Sequence, residues 1–78
     1  MKNKTQILNM AQKLNNDVEL NENDVQALYD LIKKSDDKET SNDYKNYMIQ
    51  AKNAQDQYDK LYYINLALLK VGMKPYQH

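Results

Sequence analysis

Residues 44–71 read YKNYMIQAKNAQDQYDKLYYINLALLKV, and the way that stretch is taken decides the fold. Tyr44, Tyr47, Ala51, Ala54, Tyr58, Leu61, Asn65 and Leu68 follow one another at alternating spacings of three and four. That interval keeps one apolar seam on one side of a long helix. No Gly or Pro interrupts the chain before Gly72. The spacing predicts a helix over about 41–71, capped by Thr40 or Ser41, with Asp43 in its first turn. Gly72 followed by Pro75 is a strong stop, which leaves 73–78 as a tail.

Two shorter helices precede it. Ile7, Met10, Ala11 and Leu14 give the i, i+3, i+4, i+7 pattern of one buried face, so a helix is expected over about 6–15, with Thr5 as its cap. Asn15, Asn16 and Asp17 end it by competing for backbone hydrogen bonds, and Val18 and Leu20 tuck under the connection. Val25, Leu28, Tyr29 and Ile32 mark a second helix over about 22–34. Asn21 or Asn23 can cap it, Glu22 and Asp24 suit the positive end of its dipole, and Lys33 and Lys34 suit the negative end. Asp30 and Lys34 form an i, i+4 pair. Residues 35–40 (SDDKET) are a loop. The expected architecture is all-α: one domain over 1–78, a bundle of two short helices and one long C-terminal helix, kinked or broken if not continuous.

Length sets a problem for that bundle. A helix over 41–71 would be ~45 Å long, whereas the two before it reach only ~15–20 Å. They cover its first half and leave Leu61 to Val71, the most apolar stretch, facing water. There are two solutions. The long helix can break near Lys52 to Gln57 (KNAQDQ), with Asn53 as a cap, and fold back as a fourth helix of a monomer. Or it stays continuous, and a second copy covers the exposed half. Because the seam keeps its register straight through 52–57, the continuous helix and a homodimer at micromolar concentration are favoured here.

Composition narrows the function. At 78 residues without Cys, the chain has neither disulfides nor Cys-ligated zinc to support a small core. Without Phe or Trp, its aromatic burial rests on seven Tyr, each needing a partner for its hydroxyl or a wet end. The chain shows no secretory h-region and no stretch near the ~20 apolar residues of a spanning helix, so a soluble, cytoplasmic protein with no transmembrane segment is expected. Eleven acidic and eleven basic residues cancel, and every basic residue is Lys. A neutral chain lacking Arg is a poor nucleic-acid binder. Richness in Asn, Lys, Tyr and Ile suggests an AT-rich coding sequence.

Chemistry-bearing residues are few. Asp36, Asp37 and Glu39 suggest a weak divalent-cation site, but they lack the spacing and Gly of a calcium loop and read more simply as a solvated turn. His78, the single His, is the last residue. Ser35 and Ser41 are explained by loop and cap, one Gly makes no phosphate loop, and no paired carboxylates fall on an apolar face. No catalytic residue, metal ligand or cofactor is expected, and the chain is not read as an enzyme.

What remains is a surface. Tyr58, Leu61, Tyr62, Tyr63, Ile64, Asn65, Leu68 and Leu69 are the expected partner-binding or dimer-interface residues. Tyr44, Tyr47, Tyr58 and Tyr62 lie on or beside the seam and read as core. Tyr63 lies off it and is the better candidate for a partner surface, with Tyr76 a further exposed possibility. Asn65, polar amid apolar neighbours, either fixes the register of a coiled pairing or is satisfied by a nearby backbone group or Tyr hydroxyl. Lys60 and Lys70 flank the apolar run as they would on a membrane-surface helix, but the polar face between them is too thin.

These features point to a non-enzymatic protein–protein interaction module: a small regulator, inhibitor, antitoxin or immunity factor of a bacterial, phage or plasmid genome, presenting a helical surface to a protein partner. In length, lack of Cys and four-segment helical pattern, the chain resembles the immunity proteins of pediocin-like bacteriocins. The alternatives are a structural subunit of a larger assembly and, less favoured, a nucleic-acid binder with 24–34 as its recognition helix and Lys33, Lys34 and Lys38 on phosphates.

Overall fold

The computed structural model of the chain describes residues 2–16, 20–36 and 43–73. Four helices make it up: α1 (Lys4–Asn16), α2 (Glu22–Ser35), α3 (Asp43–Asn53) and α4 (Gln57–Lys70). The all-α expectation holds, and the two N-terminal helices lie within two residues of their expected bounds. The long continuous helix does not form. It is broken at residues 54–56, the segment through which the seam keeps its register.

Local chemistry explains the break. Asp56 has extended backbone (φ −113°, ψ 143°) and its carboxylate accepts the Tyr58 N–H at 2.9 Å, capping α4. Asp56, not Asn53, is therefore the cap. At the other end of the turn, the Ala54 N–H donates to the Ala51 carbonyl at 3.3 Å, closing α3. The chain then reverses. Lys60 near the start of α4 lies against the last turn of α3, its Nζ donating to the Lys52 carbonyl at 3.1 Å. Lys70 at the far end approaches Asp43, the first residue of α3, at 3.9 Å. The two helices are thus antiparallel neighbours.

Folding back covers the apolar segment from within the chain. Ile64, Ala67 and Leu68 are fully buried, so one side of the apolar segment is covered without a second copy. α1 packs on α2 and α4, and α3 on α2 and α4, closing a ring of four within 32 × 22 × 22 Å. Ile7, Ala11 and Leu14, then Val25, Leu28 and Ile32, then Tyr44, Met48 and Ala51 fill its centre. Met10 and Tyr29, expected on the buried faces, lie at their edges.

The start of α2 follows its sequence signals, and the start of α1 does not. Asn21 and Asp24 form a reciprocal capping box on α2, its two bonds 3.0 and 3.2 Å long. α1 begins at Lys4, so Thr5 is inside it. Asn3 precedes it in the left-handed region (φ 57°), which Asn tolerates better than most residues, and its carbonyl accepts the Ile7 N–H at 2.9 Å. The Asn3 amide donates to the buried Ser35 hydroxyl at 3.0 Å, and the Lys2 N–H to the Ser35 carbonyl at 3.1 Å, tying the start of α1 to the end of α2. Asp30 accepts from Gln26, one turn before it, at 2.9 Å, on the opposite side from its expected partner Lys34.

α4 ends as Gly72 and its neighbours dictate. Gly72 (φ 81°) takes the left-handed position. Its N–H reaches the Leu69 carbonyl at 3.1 Å and the Met73 N–H reaches Leu68 at 2.9 Å, the double bond of a Schellman motif. Met73, expected in a free tail, is 2% exposed, close to the fully buried Leu68 as that motif favours. The expected caps Thr40 and Ser41, and Asp17, Val18, Asp37, Lys38, Glu39, Pro75, Tyr76 and His78, lie outside the described residues.

Candidate interaction surface

α4 differs from the other helices in being apolar on both sides. Its inner side buries Ile64, Ala67 and Leu68 together with the stem of Lys60. Its outer side carries Tyr58, Tyr62 and Leu69, which are 77%, 52% and 54% exposed. With Asn65 between them, these residues step by four, three and four, so they form one row along the helix. Leu61 and Leu66 flank the row, half-buried. The exposed positions of α1 and α2 are chiefly Asn, Gln, Lys, Asp and Glu, and α3 exposes one large apolar side chain, Ile49 at 47%.

The row is fixed in place from beneath. Asp56 holds the first turn of α4. Lys60 anchors it to the end of α3, accepted by the Ala51 and Lys52 carbonyls at 3.4 and 3.1 Å. Tyr62 stands edge-on to Tyr63, with centroids 5.4 Å apart and planes at 72°, and Tyr63 packs on the core cluster. Asn65 Oδ1 is shielded and meets no hydrogen-bond partner among the described residues. An unsatisfied buried acceptor of this kind costs about 1–3 kcal/mol.

Of the eight residues expected at an interface, the structure keeps three in the open: Tyr58, Tyr62 and Leu69. Leu61, Tyr63 and Asn65 are half-buried. Ile64 and Leu68 are wholly inside the chain's own core and offer nothing to a partner. The expected roles of the tyrosines are exchanged: Tyr58 and Tyr62 face out, while Tyr63 leans on the core. The cause is the break. The core of α4 uses Lys60 and Ile64 where the continuous seam would have used Leu61 and Asn65, a shift of one residue, or about 100° around the axis, and it adds Ala67 beside the seam's Leu68. Tyr44 keeps its expected place, 2% exposed, with Tyr29 edge-on at 6.3 Å and the Lys45 ammonium 6.0 Å from its ring centroid.

Elsewhere the surface is sparse. A shallow depression of about 370 Å³ between α1 and α2 is lined by Asn9, Met10, Lys13, Leu14, Asp24 and Ala27. Its carboxylate, Asp24, is committed to the capping box. Among the described residues, no group of three His, Cys, Asp or Glu is placed to hold a metal, and no helix is long and apolar enough to cross a membrane. No family model, curated protein or solved structure matches this chain.

Proposed function

We propose that this chain is a non-enzymatic protein–protein interaction module, and that the outer row of α4 is its working surface. One observation carries the reading. Two tyrosines and a leucine stand in the open along α4, whose opposite side is buried in the core. Exposed apolar rows of this kind mark interaction sites, and Tyr is over-represented among residues that dominate binding. The neutral charge and absence of Arg favour a protein partner over nucleic acid. A small regulator, inhibitor or immunity-type protein of a compact AT-rich genome fits this size and surface. A subunit of a larger assembly would use the same row.

The experiment is affinity capture from the cells that carry the gene, with the wild-type chain beside Tyr62→Ser and Leu69→Ser, followed by titration of whatever is identified in purified form. A partner held by the wild type and released by both variants is the expected result. Equal retention by all three would overturn α4 as the surface.

A further inference from the structure

We infer that the outer row of α4 pairs with the same row of a second copy, antiparallel and about a twofold axis. The inference rests on the reading of that row as the working surface and names its occupant. Three features of the row are self-complementary under reversal. Tyr58 and Leu69 lie symmetrically about a point between Tyr63 and Ile64, and Tyr62 and Asn65 lie symmetrically about the same point. Reversing one helix on the other therefore stacks Tyr58 on Leu69 of its partner and Tyr62 on Asn65 of its partner, in four successive layers. Their spacing of four, three and four is that of a coiled-coil seam.

The second feature is charge. Asp59 and Lys70 lie on one flank of the row, near its opposite ends. Asp59 is exposed, and Lys70 approaches Asp43 at 3.9 Å with both side chains about half exposed or more, a contact of little strength. In the antiparallel arrangement like flanks meet, and Asp59 comes within two residues, ~3 Å along the axis, of the partner's lysine. In a parallel arrangement unlike flanks would meet, and Asp59 would find no lysine opposite it. The third feature is Asn65, whose oxygen meets no hydrogen-bond partner among the described residues. Pairing sets a Tyr62 hydroxyl opposite it, so a turn of the amide satisfies both groups. A net charge of zero puts no long-range repulsion between copies. One pair of α4 helices, each ~21 Å long, makes a small contact of the weak, transient kind, so a weak, reversible dimer is expected.

Sedimentation of the full chain from low micromolar to near-millimolar concentration tests this, with circular dichroism to confirm that each variant folds. The wild type should self-associate, and Leu69→Asp should remain a monomer throughout. Asp59→Lys alone and Lys70→Asp alone should each weaken the dimer about tenfold, and the double reversal should restore it. Because the chain has no Cys, orientation can be read by oxidation: a Tyr58→Cys chain should cross-link to a Leu69→Cys chain and not to itself. A wild type that stays monomeric overturns the second copy, while Tyr62-dependent binding of an unlike protein would then leave the interaction-module reading standing. A dimer that survives Leu69→Asp, or charge variants that do not compensate, overturns this pairing. If the wild type is monomeric and capture is also indifferent to Tyr62 and Leu69, the reading beneath it falls too.

Discussion

The ammonium of Lys60 sits 3.1 Å from the carbonyl oxygen of Lys52 and 3.4 Å from that of Ala51. The last carbonyls of a helix have no partner within it and carry its negative dipole end. Here a cation from the next helix supplies both a donor and a charge, while its stem fills space in the core and leaves Lys60 only 9% exposed. One side chain thus closes α3 and locks the reversal that brings α4 back over the bundle.

Lys60→Met keeps most of the stem and removes the charge. Stability should fall by about 1.5–3 kcal/mol, the range for a hydrogen bond made by a charged group. Urea unfolding followed by circular dichroism measures it. A midpoint unchanged from wild type would show that water replaces the ammonium at no cost.

Asp56→Ala removes the carboxylate that accepts the Tyr58 N–H at 2.9 Å. Loss of an N-cap costs about 0.5–2 kcal/mol. Asp56→Asn should recover most of that, since the amide oxygen can accept the same bond. Thermal melts of the three proteins give the comparison, and a stable Asp56→Ala protein would mean that packing alone holds the turn.

Gly72→Ala tests the end of α4. A methyl group there meets nothing within 4 Å, yet φ is 81°. The cost is therefore backbone strain alone, about 1–2 kcal/mol for a non-glycine residue in the left-handed region. Gly72→Asn should cost less, because Asn tolerates that region better. Equal melts for all three would remove the Schellman motif from the account of stability.

Much of this was legible in the residues, and the exceptions share a cause. The faces Ile7–Ala11–Leu14 and Val25–Leu28–Ile32, the Asn21 cap and the Gly72 stop are local signals, and each formed. The break at 54–56 is not local. Ala51, Ala54 and Tyr58 continue the heptad without a fault, and no Gly or Pro marks the turn. What decides it is tertiary: folding back buries Ile64, Ala67 and Leu68, which outweighs the few hydrogen bonds a continuous helix would keep. Asp56 is the one signal that was there to use, an Asx residue just before a long apolar run. Once the break is missed, the rest of the seam is one residue out of phase, and Tyr58, Tyr62 and Tyr63 exchange roles. Lys60 was likewise visible only as a flank of an apolar stretch, because its partners lie eight and nine residues back, on another helix.

The same one-residue shift gives the last prediction. Ile64 is fully buried and Tyr62 is 52% exposed, though they are two residues apart on one helix. Ile64→Ala should destabilise the fold by about 2–5 kcal/mol, as removal of a buried branched side chain does. Tyr62→Ser should change stability by no more than about 0.5 kcal/mol, the usual bound for an open surface position, while weakening whatever association the α4 row supports. Tyr63→Ala should fall between them, since it is half-buried against the core. Urea midpoints rank the three, and sedimentation of the same samples reads association. If Tyr62→Ser unfolds the protein as readily as Ile64→Ala, the two faces of α4 have been assigned the wrong way round, and the row at Tyr58, Tyr62 and Leu69 is core rather than surface.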